Sequence, residues 1–253
     1  MSKKYVKRIL MNRYTDGKEI NTTVDNYGRV IKIEVAERAL FEGILNTAKA
    51  TGAALKTVWK FSVALKKQEP DALVQRLLKK DNPSQVDLSD YLPDLDGTTV
   101  FDLGTLKALR TLTYRSRELL EGGYRPDNEP LALFWECFYE RVRSDEFSNA
   151  PSRSTCFFLF SDLDSAVDYD RKVHTGPRHN YLFCNVVATS TLTAFSADMT
   201  LLNEVVLEQT FASAAEQIRR YWRQERSEKP LMEVLFQGTA CLGERISLNA
   251  SQS

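Results

Sequence analysis

Glu233 stands inside the apolar run Leu231-Met232-Glu233-Val234-Leu235-Phe236. A carboxylate in the middle of such a run is costly to bury without a partner. Spacing alone leaves two readings. Exposed strand carboxylates are common, so the ordinary one is an edge strand that turns Glu233 to solvent; the other is a carboxylate placed there for chemistry. Other reactive side chains are sparse. His174 and His179 flank Gly176-Pro177 with no third ligand nearby, so they read as solvated loop histidines and no metal is expected. Of the four cysteines, Cys137, Cys156 and Cys184 sit in apolar runs, and neither they nor Cys241 form a CxxC pair. That usage fits small buried hydrophobes in a reducing compartment better than zinc ligands or an activated thiolate. Arg219-Arg220-Tyr221-Trp222-Arg223 mixes cations with aromatics. Such a run can bind nucleic acid by stacking and phosphate contact, but more often it is a helix C-terminus with cations facing the dipole and rings in the core. GxGxxG, GxxxxGK[ST] and GxSxG are all absent, which removes the dinucleotide-fold fingerprint, the P-loop and the nucleophile elbow.

Extended runs are expected at residues 5–11 and, after a turn at Asp16-Gly17, at 29–35. The period then becomes helical over 34–50, through Val35, Ala39, Leu40, Ile44, Leu45 and Ala48, and resumes after Gly52 over 53–67. Pro70-Asp71 opens a further helix to residue 80. Residues 81–102 are Asp-, Pro- and Ser-rich loop, and helices are expected at 104–120 and 129–143. Beyond the polar loop 148–154, strands are expected at 155–160 and 181–188, helices at 162–172 and 204–222, and two last strands to Ile246 joined by a turn at Gly238. Helices dominate the first part of the chain and strands the last, so the expected class is α+β.

Lys+Arg and Asp+Glu both number 34, so no global basic field argues for non-specific nucleic-acid binding. No stretch approaches the ~18 apolar residues of a membrane span. The start, Met-Ser-Lys-Lys-Tyr-Val-Lys-Arg, lacks an apolar signal region, so a cytoplasmic protein is expected. Glu-Val-Leu-Phe-Gln-Gly also matches a picornaviral 3C protease site used in expression tags. A tag would continue with Pro, whereas Thr239 follows and the strand pattern runs on, so these residues read as native.

One block is more specific. Glu136 to Ala166 carries an aromatic, Glu-rich helix, the triplet Pro151-Ser152-Arg153, an apolar strand and an acidic helix start. With Ala197-Asp198-Met199, Tyr221-Trp222, Glu233-Val234-Leu235, and Tyr5 and Arg8 ahead of Gly17-Lys18-Glu19-Ile20, it resembles bacterial proteins of the DUF2441 kind. The resemblance covers about residues 5–20 and 130–247, with no counterpart placed for 35–125.

That family in turn resembles the ADP-ribosyltransferase superfamily, which splits the nicotinamide–ribose bond of NAD and passes ADP-ribose to an acceptor. The resemblance implies a single domain over 1–253, with a split β-sheet around an NAD cleft and a helix-rich insertion at about 35–125. It implies a first-strand Arg, a Ser-Thr-Ser or Tyr element and a late-strand Glu. The matching positions are Arg8, with Arg13 competing, Ser154-Thr155, where Cys156 replaces the final Ser, and Glu233. Arg8, Ser154 and Glu233 are then the catalytic candidates. Arg8, Arg153, Ser154, Thr155, Tyr169 and Tyr181 are the NAD-binding ones, Phe160 being a further ring able to stack on nicotinamide; a core role for the rings and a loop-capping role for Arg153 are the plainer readings. The implied partners are a macromolecular acceptor, RNA or other nucleic acid or a protein, and an antitoxin or regulatory protein, as in bacterial toxin–antitoxin and anti-phage systems. Hydrolysis of NAD with water as acceptor, and a non-catalytic module that binds NAD or ADP-ribose or acts purely as a protein-interaction module, are the alternatives.

Overall fold

In a computed structural model of the chain, the residues described are 4–29, 35–64, 132–173 and 180–248, with 111, 112, 114, 118 and 122. His174, His179, the expected helix at 70–80 and the loop 81–102 lie outside them, as does most of the helix 104–120. The chain is mixed α and β. It divides into two compact units, one built from Met1–Lys32, Val142–Glu204 and Ile218–Ser253, the other from Ile33–Arg141 and Val205–Gln217.

The first unit holds a five-stranded antiparallel sheet of β1 (Lys4–Leu10), β2 (Glu19–Asn21), β3 (Phe157–Phe160), β4 (Tyr181–Asp198) and β5 (Met232–Ile246), in the order β2-β5-β3-β1-β4. β4 and β5 also pair with each other, which closes β5, β3, β1 and β4 into a circuit. Residues paired across a ladder share a face, so the register sorts the side chains into two sets. Tyr5, Leu159, Cys184, Val186, Val234, Phe236, Ala240 and Leu242 fill the inner face as one apolar core. The outer face carries Val6, Arg8, Phe158, Phe160, Tyr181, Phe183 and Glu233. α4 (Leu163–Val173) lays Ala166 and Val167 over Val6, Phe160 and Phe183 of that face.

The second unit is helical. α1 (Val35–Thr51) and α2 (Leu55–Ala64) bury Leu40, Phe41, Ile44, Leu45, Leu55 and Trp59, close to the spacing expected from sequence. Phe134, from the first turn of α3 (Ala132–Glu146), packs edge-on against Phe41 and Trp59 with centroids 5.7 and 5.2 Å away. The helix expected over 204–222 starts later, as α6 (Phe211–Trp222), and a short α5 (Met199–Asn203) precedes the expected range. Between them the carbonyls of Leu207 and Gln209 accept from Lys56 and Leu55 at the start of α2, so that stretch serves another helix instead of its own.

Two further expectations are corrected. Of the extended run expected over 29–35, residues 30–34 lie outside the described residues, Arg29 ends a 3-10 turn (Tyr27–Arg29) and Val35 begins α1. The last two strands are one continuous β5, and Gly238 bends it without ending it. Gly238 has φ of 141°, and a Cβ there would sit 2.1 Å from the Ser190 carbonyl oxygen, so strand β4 can pass only because this residue has no side chain. Thr22 clasps the bend: its hydroxyl accepts from Gly238 N at 2.9 Å and its N–H donates to Gly238 O at 3.1 Å. Gly238→Ala is therefore expected to lower unfolding free energy in urea by at least about 2 kcal/mol. Gly17→Ala, with positive φ but open space around it, costs only about 1 kcal/mol.

Candidate functional site

Glu233 begins the regular part of β5, opposite Phe160 of β3 on one side and Ala197 of β4 on the other. It lies on an interior strand at 3% exposure, which overturns the edge-strand reading. Its partner is Arg153, 7% exposed, from a 3-10 turn (Arg153–Thr155) that leads into β3. Arg153 Nη1 donates to Glu233 Oε1 and, at 2.8 Å, to the Tyr221 hydroxyl. Tyr221 in turn donates to the same Oε1 at 2.7 Å. Arg153 lies 4.7 Å from the Phe158 ring centroid, so the cation is packed as well as paired. Tyr221 closes the last turn of α6, fully buried and 4.9 Å from the ring of Trp222. Burial, and next the charge of Glu233, push its phenol well above the ordinary value, so it remains a donor.

A second buried acid holds the approach to β5. Asp198 caps α5, accepting from Thr200 N at 2.9 Å and Leu231 N at 2.8 Å on one oxygen and from Ser227 N and Oγ at 2.7 Å on the other. Burial alone would raise this carboxyl; the bonds from Ser227, Leu231 and Thr200 outweigh it, and the net shift is downward. The loop before Glu233 is thus tied to the end of β4 two residues upstream of the site.

Arg8 forms the other half of the outer face. Its Nε donates to Asp170 of α4, and its guanidinium lies 3.5 Å from the Tyr181 ring centroid. The side chain is 8% exposed, and Nη2 has no hydrogen-bond acceptor among the described residues. Tyr169 connects the two groups. Its ring is 5.2 Å from Phe160, and burial followed by the Glu233 charge raises its phenol, with Arg8 and Arg153 pulling the other way. On the inner face, Lys7 donates to the Phe158 carbonyl at 2.6 Å, and burial draws its amine down to about 8.

The remaining candidates are placed elsewhere. Ser154 and Thr155 are exposed; the Ser154 hydroxyl bonds Ser152 Oγ at 2.9 Å, and Thr155 Oγ1 donates to Ser152 O at 2.9 Å and accepts from Gln237 at 2.8 Å. Arg13 is exposed in the turn after β1. The basic run is neutralised by acids: Arg219 pairs bidentately with Glu146 at 2.8 Å, and Arg220 pairs with Glu225 at 2.9 Å. Sequence reasoning quoted Tyr221 and Asp198 inside motifs but gave neither a role, because an aromatic at a helix end and an acid after a strand are ordinary in isolation.

No group of three or more potential metal ligands occurs among the described residues, and no described helix is long and apolar enough to cross a membrane. Residues 62–247 match the sequence model of the family described as "Protein of unknown function (DUF2441)". No curated protein matches the chain. The match reaches back into the region for which the sequence reading placed no counterpart, and it spans Pro151-Ser152-Arg153, Asp198, Tyr221 and Glu233, all of which the fold gathers around one end of β5.

Removing one member of the buried pair strands the other. Arg153→Met is expected to cost about 3–5 kcal/mol, while Arg153→Met with Glu233→Leu stays within about 1 kcal/mol of the parent, measured as a double-mutant cycle in urea. Because the folded Asp198 carboxyl is depressed, its contribution is whole above the usual carboxylate range and is lost as pH falls through the folded value. Asp198→Asn therefore flattens the acid limb of a stability-versus-pH curve, besides lowering stability at neutral pH.

Proposed function

The chain belongs to the DUF2441 family, and we propose that it is an NAD-dependent ADP-ribosyltransferase that delivers ADP-ribose to a macromolecule, a nucleic acid such as RNA or a protein. The observation that carries the reading is the unfilled donor of Arg8. A guanidinium that is 8% exposed and finds no acceptor for Nη2 among the described residues is costly unless a ligand oxygen completes it. It lies on the same outer face as Glu233, with Phe160 and the Tyr169 ring between them. A fixed cation, a fixed anion and aromatic surface on one face suit a ligand with phosphate and ribose oxygens at one end and a cationic ring at the other.

In this reading Arg8 takes an oxygen of the pyrophosphate or ribose, held in place by Asp170 and by Tyr181 against its face. Tyr169 and Phe160 offer surface to the nicotinamide. The bond from ribose C1′ to the nicotinamide nitrogen breaks, and the electron pair leaves with nicotinamide. Glu233 stabilises the cationic ribose as it forms. The acceptor's oxygen or nitrogen then bonds to C1′, and its proton passes to Glu233. The acid-neutralised run at 219–223 gives a nucleic-acid acceptor no special support, so both acceptor classes stay within the proposal.

A binding module for NAD or ADP-ribose is the second reading, favoured by one observation: Glu233 is already engaged by Arg153 and Tyr221. Incubating the protein with labelled NAD and total RNA, single-stranded DNA or cell lysate separates the readings. Transfer is expected to label one fraction and release nicotinamide, with Glu233→Gln slower by about a hundredfold or more and Arg8→Gln raising KM for NAD. Free ADP-ribose without labelled acceptor would mean hydrolysis. NAD bound in calorimetry but never consumed would leave the binding module; neither binding nor consumption would end both.

A further inference from the structure

Ser and Thr hydroxyls can both donate and accept, so Ser154 and Thr155 would suit a carboxylate within reach, yet both are exposed and bonded to Ser152 and Gln237. Glu233 is held by other residues. Both hydrogen bonds it receives, from Arg153 Nη1 and Tyr221 Oη, end on Oε1, and among the described residues none ends on Oε2. We infer that Arg153 and Tyr221 are the positioning residues of this site: they occupy Oε1, fix the plane of the carboxylate and thereby dedicate Oε2 to the substrate.

The geometry restricts the alternatives. Tyr221 has one proton and spends it on Oε1, while its oxygen accepts from Arg153, so the three groups form a closed ring in which none can turn without breaking two contacts. The rings of Phe158 and Trp222 wall the pair in. A buried ion pair contributes little net stability relative to a packed apolar pair, because desolvation offsets most of the attraction. Stability by itself therefore gives the Arg153–Glu233 pair no advantage over two packed apolar side chains, whereas orientation of a reacting carboxylate does. Each member comes from a different element, the turn before β3, the end of α6 and the start of β5, so the plane of Glu233 is set by the tertiary fold and not by a neighbouring residue.

This assignment rests on the transferase reading, and steady-state kinetics of nicotinamide release from NAD test it. The proteins to compare are the parent, Tyr221→Phe, Arg153→Lys, Arg153→Met and Ser154→Ala, each with its melting temperature. Tyr221→Phe keeps the ring and removes only the hydroxyl, so it guards against a fold that fails with Arg153→Met. Tyr221→Phe is expected to stay folded, to keep KM for NAD within about twofold, and to lose roughly tenfold to a hundredfold in kcat. Arg153→Lys recovers part of the kcat that Arg153→Met loses. A merely structural role would lower the folded fraction and leave kcat per folded molecule unchanged, and that result overturns the assignment. So does a kcat lost in Ser154→Ala but kept in Tyr221→Phe. A parent protein that releases no nicotinamide sinks the transferase reading and this assignment with it; an active parent with an equally active Tyr221→Phe sinks the assignment alone.

Discussion

A carboxylate cannot be placed on an interior strand at 3% exposure unless something else in the fold neutralises it and takes its hydrogen bonds. In this protein that condition falls on Glu233, and much of the surrounding architecture follows from it. Arg153 must arrive from the turn before β3, Tyr221 from the end of α6, and both must reach one oxygen. The start of β5 must then be held in register, which Asp198 does by gathering Thr200, Ser227 and Leu231 around the end of β4. One buried charge thus ties together segments from across the sequence, and a second secures the first.

The circuit of β5, β3, β1 and β4 separates two kinds of interior. Its inner face is an aliphatic and aromatic core in which Tyr5 and Phe236 lie 6.0 Å apart. Its outer face mixes apolar residues covered by α4 with two charged centres, Arg8 with Asp170 and Glu233 with Arg153. The two centres are built differently. Glu233 has its charge balanced and one oxygen occupied, whereas Arg8 keeps one nitrogen without an acceptor among the described residues. Packing explains the first arrangement and leaves the second incomplete, which is why the chemical reading starts from Arg8 and assigns Glu233 the reacting end.

Periodicity located most elements because it reports local physics. A 3.6-residue apolar stripe marked α1 and α3, and an apolar run marked β3. It failed where a distant partner decides. β4 runs to Asp198 although its second half is Thr- and Ser-rich, because β5 pairs with it along that length. Gly238 looks like a turn residue in sequence, but here it is where β4 passes too close for a side chain. The helix expected over 204–222 begins only at Phe211, and the carbonyls of Leu207 and Gln209 ahead of it are used by the start of α2. Ser154 and Thr155 sit beside Arg153 in sequence, yet the 3-10 turn sends Arg153 inward and leaves both hydroxyls at the surface.

The sequence by itself determined the class of fold, the positions of many of the described elements, the likeness to the DUF2441 family, which the family model matches over 62–247, and the singular character of a glutamate in an apolar run. These are properties of residue type and near-neighbour spacing, on which backbone propensity and the hydrophobic effect act directly. Only the tertiary structure decided that Glu233 is buried, that Arg153 and Tyr221 hold it, and that Arg8 shares its face with a donor to spare. The ionisation, burial and bonding of a charged side chain depend on groups brought close by the whole fold. Arg153 and Glu233 are 80 positions apart in sequence, and nothing local to either predicts the other.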